Sequence, residues 1–322
     1  MPWEQVFTFT FLTAILTAGI RLAVPVLLAV LGEIVTQLSG VMNLGLEGVM
    51  IVGALAGFAT TYWLEQATGL GELAAWLGLL AGLLAGALMG LIMALLSITC
   101  RADQVVAGIT LVLLGQSLTT YFYRADPELA KVRVSGLANW PVPGLSQLPV
   151  FGRILFDHSL VVYLSVGLVP LLGWLLYRTS WGLQIRAAGE HPEAVETSGL
   201  NVLRIRYLCV LTGSALAGLG GAVLTVGQLN LFIEGVTAGR GWIAVALVYF
   251  SRWQPAWALG GALLFGIADA IQFRIQALGS EALPYEFLLM LPYGLTLLVL
   301  AGSRLRDRTP TVLGVPYVKG RR

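Results

Sequence analysis

The chain has 322 residues, of which 57% are hydrophobic and only 11% charged, with a net charge of +2 and a mean hydropathy of +0.83. A soluble domain carries about 25% charged residues, and a chain this apolar would turn large apolar patches to water, so the composition excludes an ordinary soluble protein and points to the bilayer. The charge balance gives no sign of a nucleic-acid partner, and Cys100 and Cys209, both in or beside apolar runs, make no disulfide framework.

A crossing helix needs about 20 mostly apolar residues. The sequence offers nine candidate segments, at 9–31, 44–63, 73–98, 104–123, 159–177, 206–228, 241–250, 254–273 and 285–302. The first twenty residues contain Glu4 but no Lys or Arg. They lack the basic region of a signal peptide, so the first stretch is expected to be retained as a span. The third segment carries Gly78, Gly82, Gly86 and Gly90 on one helical face, and the sixth repeats the pattern with Gly213, Ala217 and Gly221. Such ridges let helix backbones approach closely in lipid. The seventh segment is too short to cross alone and is expected to be a half-helix or one arm of a re-entrant pair. The fold class that follows is an all-α polytopic bundle of eight or nine segments, some short or broken.

Basic residues set the expected orientation. Arg304, Arg306, Arg308, Lys319, Arg321 and Arg322 in the tail fall on one side with Arg178, Arg186, Arg204 and Arg206 of the 178–206 loop, and Arg101 and Arg252 join them. That side is read as cytoplasmic, with the N-terminus outside. Residues 1–302 form a single transmembrane domain and 303–322 a basic cytoplasmic tail. The outer loop 124–158, with Pro127, Pro141, Pro143, Pro149 and Trp140, is expected to form a small ordered cap.

No His/Cys/Asp/Glu grouping has metal-ligand spacing, and neither Lys131 nor Lys319 sits in a Walker A pattern. No cofactor and no enzymatic activity are expected, and ATP would have to be bound by another polypeptide. Three polar features remain. In the 178–206 loop, Pro192 suits the first turn of a short helix and Gly199 the position just past its end, with Glu193 and Glu196 near its N-terminal half. In MNLGLEG, Asn43 and Glu47 stand at the start of an apolar span. They are either a helix cap with a first-turn carboxylate or lining of a solute path beside a broken helix, and both can hold together. Glu234, Arg240 and Asp269 in the later half are likewise either path groups or structural pairs, Glu234 with Arg240 and Asp269 with Arg274 or Gln272. Arg21 has Glu33 and Glu47 as candidate partners. Asp103 reads as a helix N-cap.

AAGEHPEAVETSGLNV in the 178–206 loop resembles the coupling-helix segment of ABC importer permeases of the branched-chain amino acid, ribose and nucleoside type. SGVMNLGLEGVMIVGALAGF at 39–58, residues 237–272, and LPYGLTLLVLAG at 291–302 are similar to further parts of that family, in order. The subgroup it most resembles takes nucleosides or simple sugars. The resemblance implies a path for a small polar solute in a bacterial-type inner membrane. It also implies cytoplasmic ATPase subunits, a second and different permease chain, an external solute-binding protein, and a lipid environment. The ATPase contact it implies is Gly189, Glu190, Pro192, Glu193, Ala194, Val195, Glu196 and Gly199, with Ala194 and Val195 supplying apolar contact. The alternative is a stand-alone secondary transporter or channel using Glu47 and Asp269.

Overall fold

The computed structural model describes residues 9–148, 151–277, 290, 294 and 309–318. Among them the chain forms α1 (Phe9–Leu38), α2 (Leu46–Thr68), α3 (Glu72–Ala94), α4 (Gln104–Ala125), α5 (Phe151–Leu155), α6 (Leu160–Arg178), α7 (Ser180–Glu190), α8 (Pro192–Thr197), α9 (Val202–Ala222), α10 (Arg240–Ser251) and α11 (Pro255–Ala277). Helices α3 and α9 run on into π-helical turns at Leu95–Thr99 and Val223–Leu229. Seven helices among the described residues are long and apolar enough to cross a membrane: α1 to α4, α6, α9 and α11. The expected ninth segment, 285–302, and most of the basic tail lie outside the described residues.

The glycine ridges set the centre of the bundle. Helix α9 packs on α1, α2 and α3, and α2 packs on α3 and α4. A Cβ on Gly86 would stand 2.7 Å from the Cα of Gly218, so only hydrogen fits where α3 crosses α9. Backbones this close gain dispersion contacts that larger side chains would prevent. The consequence shows in burial: 78% of the apolar window of α2 and 72% of that of α9 are buried, against 33% for α4 and 28% for α6. The outer faces of α4 and α6 are therefore free for lipid or another chain.

Helix α10 has 12 residues, about 18 Å at 1.5 Å per residue, which falls short of the roughly 30 Å hydrocarbon core. It is a half-helix, turned back into α11 by Arg252 and Trp253, both with positive φ (52° and 57°). Described residues of the 124–158 loop pack on the bundle and bond to one another. Leu129 and Val134 pack with Phe232, and the Trp140 and Val142 amides donate to the His158 and Phe156 carbonyls at 2.9 and 3.0 Å.

Candidate functional site

The 178–206 loop contains two helices, where the sequence signals only one. Thr179 opens α7, its hydroxyl accepting from the Gly182 amide. Helix α8 begins at Pro192 and ends as Gly199 predicts: Gly199 takes φ +82°, its amide donates to Glu196 O at 2.9 Å, and the Leu200 amide reaches Val195 O at 3.2 Å. That pair of bonds is a Schellman stop, which glycine adopts without strain. Glu193 and Ala194 are exposed, whereas Pro192 and Val195 turn inward and Gly189 is buried. Of the two apolar residues expected to face outward, Ala194 does so and Val195 does not. Glu196 is engaged by the Tyr317 hydroxyl, and Glu190 Oε2 accepts from Thr311 Oγ1 at 2.5 Å.

MNLGLEG does not form the local cap its sequence suggests. Asn43 lies before the helix, and its Oδ1 accepts from the Gly45 amide at 3.0 Å. Its Nδ2 donates to Ser214 Oγ at 3.2 Å and its amide donates to Glu33 Oε1 at 3.0 Å. Glu47 opens α2 but serves another helix. Its Oε1 accepts from Thr237 Oγ1 (2.5 Å) and the Gly239 amide (2.9 Å), and its Oε2 accepts from the Gly241 amide (2.7 Å). A carboxylate on otherwise unpaired amides at a helix N-terminus is favoured both by hydrogen bonding and by the helix dipole. At 4% exposure Glu47 is a buried anchor for the half-helix.

The remaining charges pair differently from the sequence expectation. Arg240 Nη2 donates to Asp269 Oδ2 at 2.9 Å, tying the start of α10 to α11. Glu234 pairs instead with Arg124 at the end of α4, through two bonds of 2.7 and 2.9 Å. Those bonds hold the Glu234 carboxyl below the usual carboxylate range. The reason is placement: residues 230–239 pass the end of α4 before entering α10, which leaves Glu234 beside Arg124. Arg21 is exposed, while Glu33 and Glu47 are engaged elsewhere. Asp103 caps α4 as expected, its Oδ1 accepting from the Val105 and Val106 amides at 2.8 and 3.0 Å.

The sequence reading missed a polar stripe on α4. Gln116, Ser117, Thr120, Tyr121 and Arg124 line a shallow depression on a span that is mostly apolar elsewhere. Their spacing of three and four places them on one face, and that period was available in the sequence. Beside the stripe, Thr60, Trp63, Thr119, Phe122 and Asp126 line part of a groove of about 450 Å³ between α2 and α4.

Comparison with known proteins agrees with this architecture. The family model described as the branched-chain amino acid transport system / permease component matches residues 15–300. The guanosine ABC transporter permease protein NupQ of Bacillus subtilis is 38% identical, covering 97% of this chain and 98% of its own. The nucleoside ABC transporter permease protein NupC of Lactococcus lactis is 32% identical over 92% and 94%. TsgC13 of Haloferax volcanii, a permease protein whose name assigns it to glucose ABC transport, is 40% identical over 84% and 80%. A solved inward-facing metal-chelate type ABC transporter shares the fold, with a TM-score of 0.52 at 16% identity over 94% of this chain and 89% of that one. The chain belongs to the branched-chain amino acid transport system permease family and is a multi-pass inner-membrane permease subunit of an ABC transporter.

Proposed function

We propose that this permease forms one half of a translocation path for a nucleoside or simple sugar, and that a second, different permease chain faces its α4. The polar stripe on α4 carries the reading. Gln116, Ser117 and Arg124 are exposed on a span, and exposed polar groups in hydrocarbon are costly unless they face a cavity or a partner. Glu234, paired to Arg124, belongs to the same face. The groove next to it offers the exposed aromatic rings of Trp63 and Phe122, which suit stacking of a base or of the apolar face of a sugar. The names of the nucleoside and glucose relatives point to the same solute classes.

In this reading Asn43, Glu47, Arg240 and Asp269 act on the path by fixing the half-helix. The exposed side of α8, with Glu193 and Ala194, seats a cytoplasmic ATPase subunit, and Gly189, Glu190, Pro192, Val195, Glu196 and Gly199 hold that helix in place. A binding protein delivers solute at the opposite end. The test is uptake into proteoliposomes by the complex of this chain, its partner permease, ATPase and binding protein. ATP-dependent uptake of guanosine or glucose is expected, and Ala194→Arg should abolish solute-stimulated ATP hydrolysis with the bundle intact. Uptake that persists without ATP would favour a stand-alone carrier.

A further inference from the structure

Residues 309–318 lie as a strap across the segment that contains α8. The Val312 amide donates to Gly189 O at 3.1 Å and the Gly314 amide to Gly40 O at 3.1 Å. Thr311 donates to Glu190 Oε2 through both its amide (3.2 Å) and its hydroxyl (2.5 Å). Arg206 of α9, only 2% exposed, has no salt bridge among the described residues. Its guanidinium donates to the carbonyls of Val315 (3.2 Å) and Ala188 (3.4 Å) and stands 5.9 Å over the Tyr317 ring. The hydroxyl of that same ring donates to the Glu196 carboxylate on α8. Tyr317 therefore touches α8 with one end and covers the buried cation of α9 with its face.

We propose that Tyr317 is a positioning residue for energy coupling, the clamp through which the strap fixes α8 against α9 and against the turn at Gly40. The inference rests on the reading of α8 as the ATPase seat. Six residues form too short a helix to hold a shape by themselves, so contacts set the orientation of α8. Its chain connections at His191 and Gly199 and the buried side chains of Pro192 and Val195 seat its inner face. The strap adds an attachment at Glu196, on a side that those contacts leave open. It also touches the 39–45 turn, whose Asn43 amide is bonded to Glu33 and which leads directly into Glu47, the anchor of the half-helix. Displacement of α8 is thereby passed to the element that borders the path. Burial and the neighbouring Glu196 push the Tyr317 phenol up to about 12, so the hydroxyl stays a donor throughout the physiological range.

The test uses the full reconstituted complex, with uptake and ATP hydrolysis measured on one preparation. Tyr317→Ala should lower the solute carried per ATP about tenfold, the size of effect that residues in a coupling network produce, while the complex remains assembled. Tyr317→Phe keeps the ring over Arg206 and loses only the bond to Glu196, so it should show a smaller drop, and Glu196→Gln added to it should cause little further change. A merely structural role would lower yield or melting temperature and leave the ratio alone. If Tyr317→Ala reduces assembly, Tyr317→Phe decides: a lowered ratio supports the clamp and an unchanged ratio overturns it. If Ala194→Arg uncouples the complex but neither Tyr317 variant does, the clamp alone is wrong. If Ala194→Arg also leaves hydrolysis solute-stimulated, the seat on α8 is wrong, and the clamp falls with it.

Discussion

Glu47 accepts the backbone amide of Gly241, 194 positions further along the chain, at 2.7 Å, so a carboxylate in the first turn of α2 caps the start of α10. This one side chain joins the glycine-rich first half of the bundle to the broken helix of the second. Glu47→Gln removes the charge and keeps the volume. It should destabilise the protein by about 1.5–3 kcal/mol, the worth of hydrogen bonds to a charged group. Uptake should fall in step with the loss of folded complex, as read from melting and transport on the same preparation. A large loss of uptake with unchanged melting would instead place Glu47 in contact with solute.

Gly86→Leu should lower stability by about 1–3 kcal/mol or block assembly, as overpacking does in a filled interior. The side chain has nowhere to go, since even a Cβ meets Gly218 at 2.7 Å. Thermal melting of the purified chain checks this, and wild-type stability would mean that α3 and α9 do not cross as described.

His158 gives the 124–158 loop a pH dependence. Its Nε2 meets Ile154 O at 2.8 Å and its Nδ1 is buried with no hydrogen-bond partner among the described residues. Burial pushes the imidazole below its ordinary 6.5, with Arg21 adding to the shift, while the Ile154 bond and Asp157 act against it. The folded loop holds the ring neutral, whereas the unfolded chain takes up the proton. The stability it contributes is fully present above the unfolded value and is lost as pH falls below it. The protection of amides at 139–148 and 151–160, taken relative to their intrinsic exchange rates, should therefore fall as pH drops below the ordinary 6.5. His158→Gln should flatten that change.

The bundle was legible because lipid imposes simple rules. Long apolar runs must be helices, and the spacing of Gly78, Gly82, Gly86 and Gly90 marks a packed face from sequence alone. Pro192 and Gly199 fixed α8 for the same local reason, since each residue type has a position at a helix end that it suits. The partners of Glu47, Glu234 and Asp269 were not legible, because they lie on helices or loops distant in sequence and their choice depends on how α10 is broken and turned. Tyr317 carried no signal at all: a tyrosine among tail residues reads as solvated until the fold brings Glu196 and Arg206 to it. The stripe on α4 was readable by its period and was hidden only by the apolar residues around it.

The reading of α4 as a path wall is tested most directly by thiol labelling. In a Cys100→Ser background, which removes the exposed native thiol and leaves buried Cys209, Gln116→Cys and Thr120→Cys are placed in the assembled complex and treated with a membrane-impermeant maleimide. Both positions should label from water, and label less when transported solute is present in excess. Labelling only by lipid-soluble reagents, indifferent to solute, would show that the stripe faces the bilayer and that the path lies elsewhere.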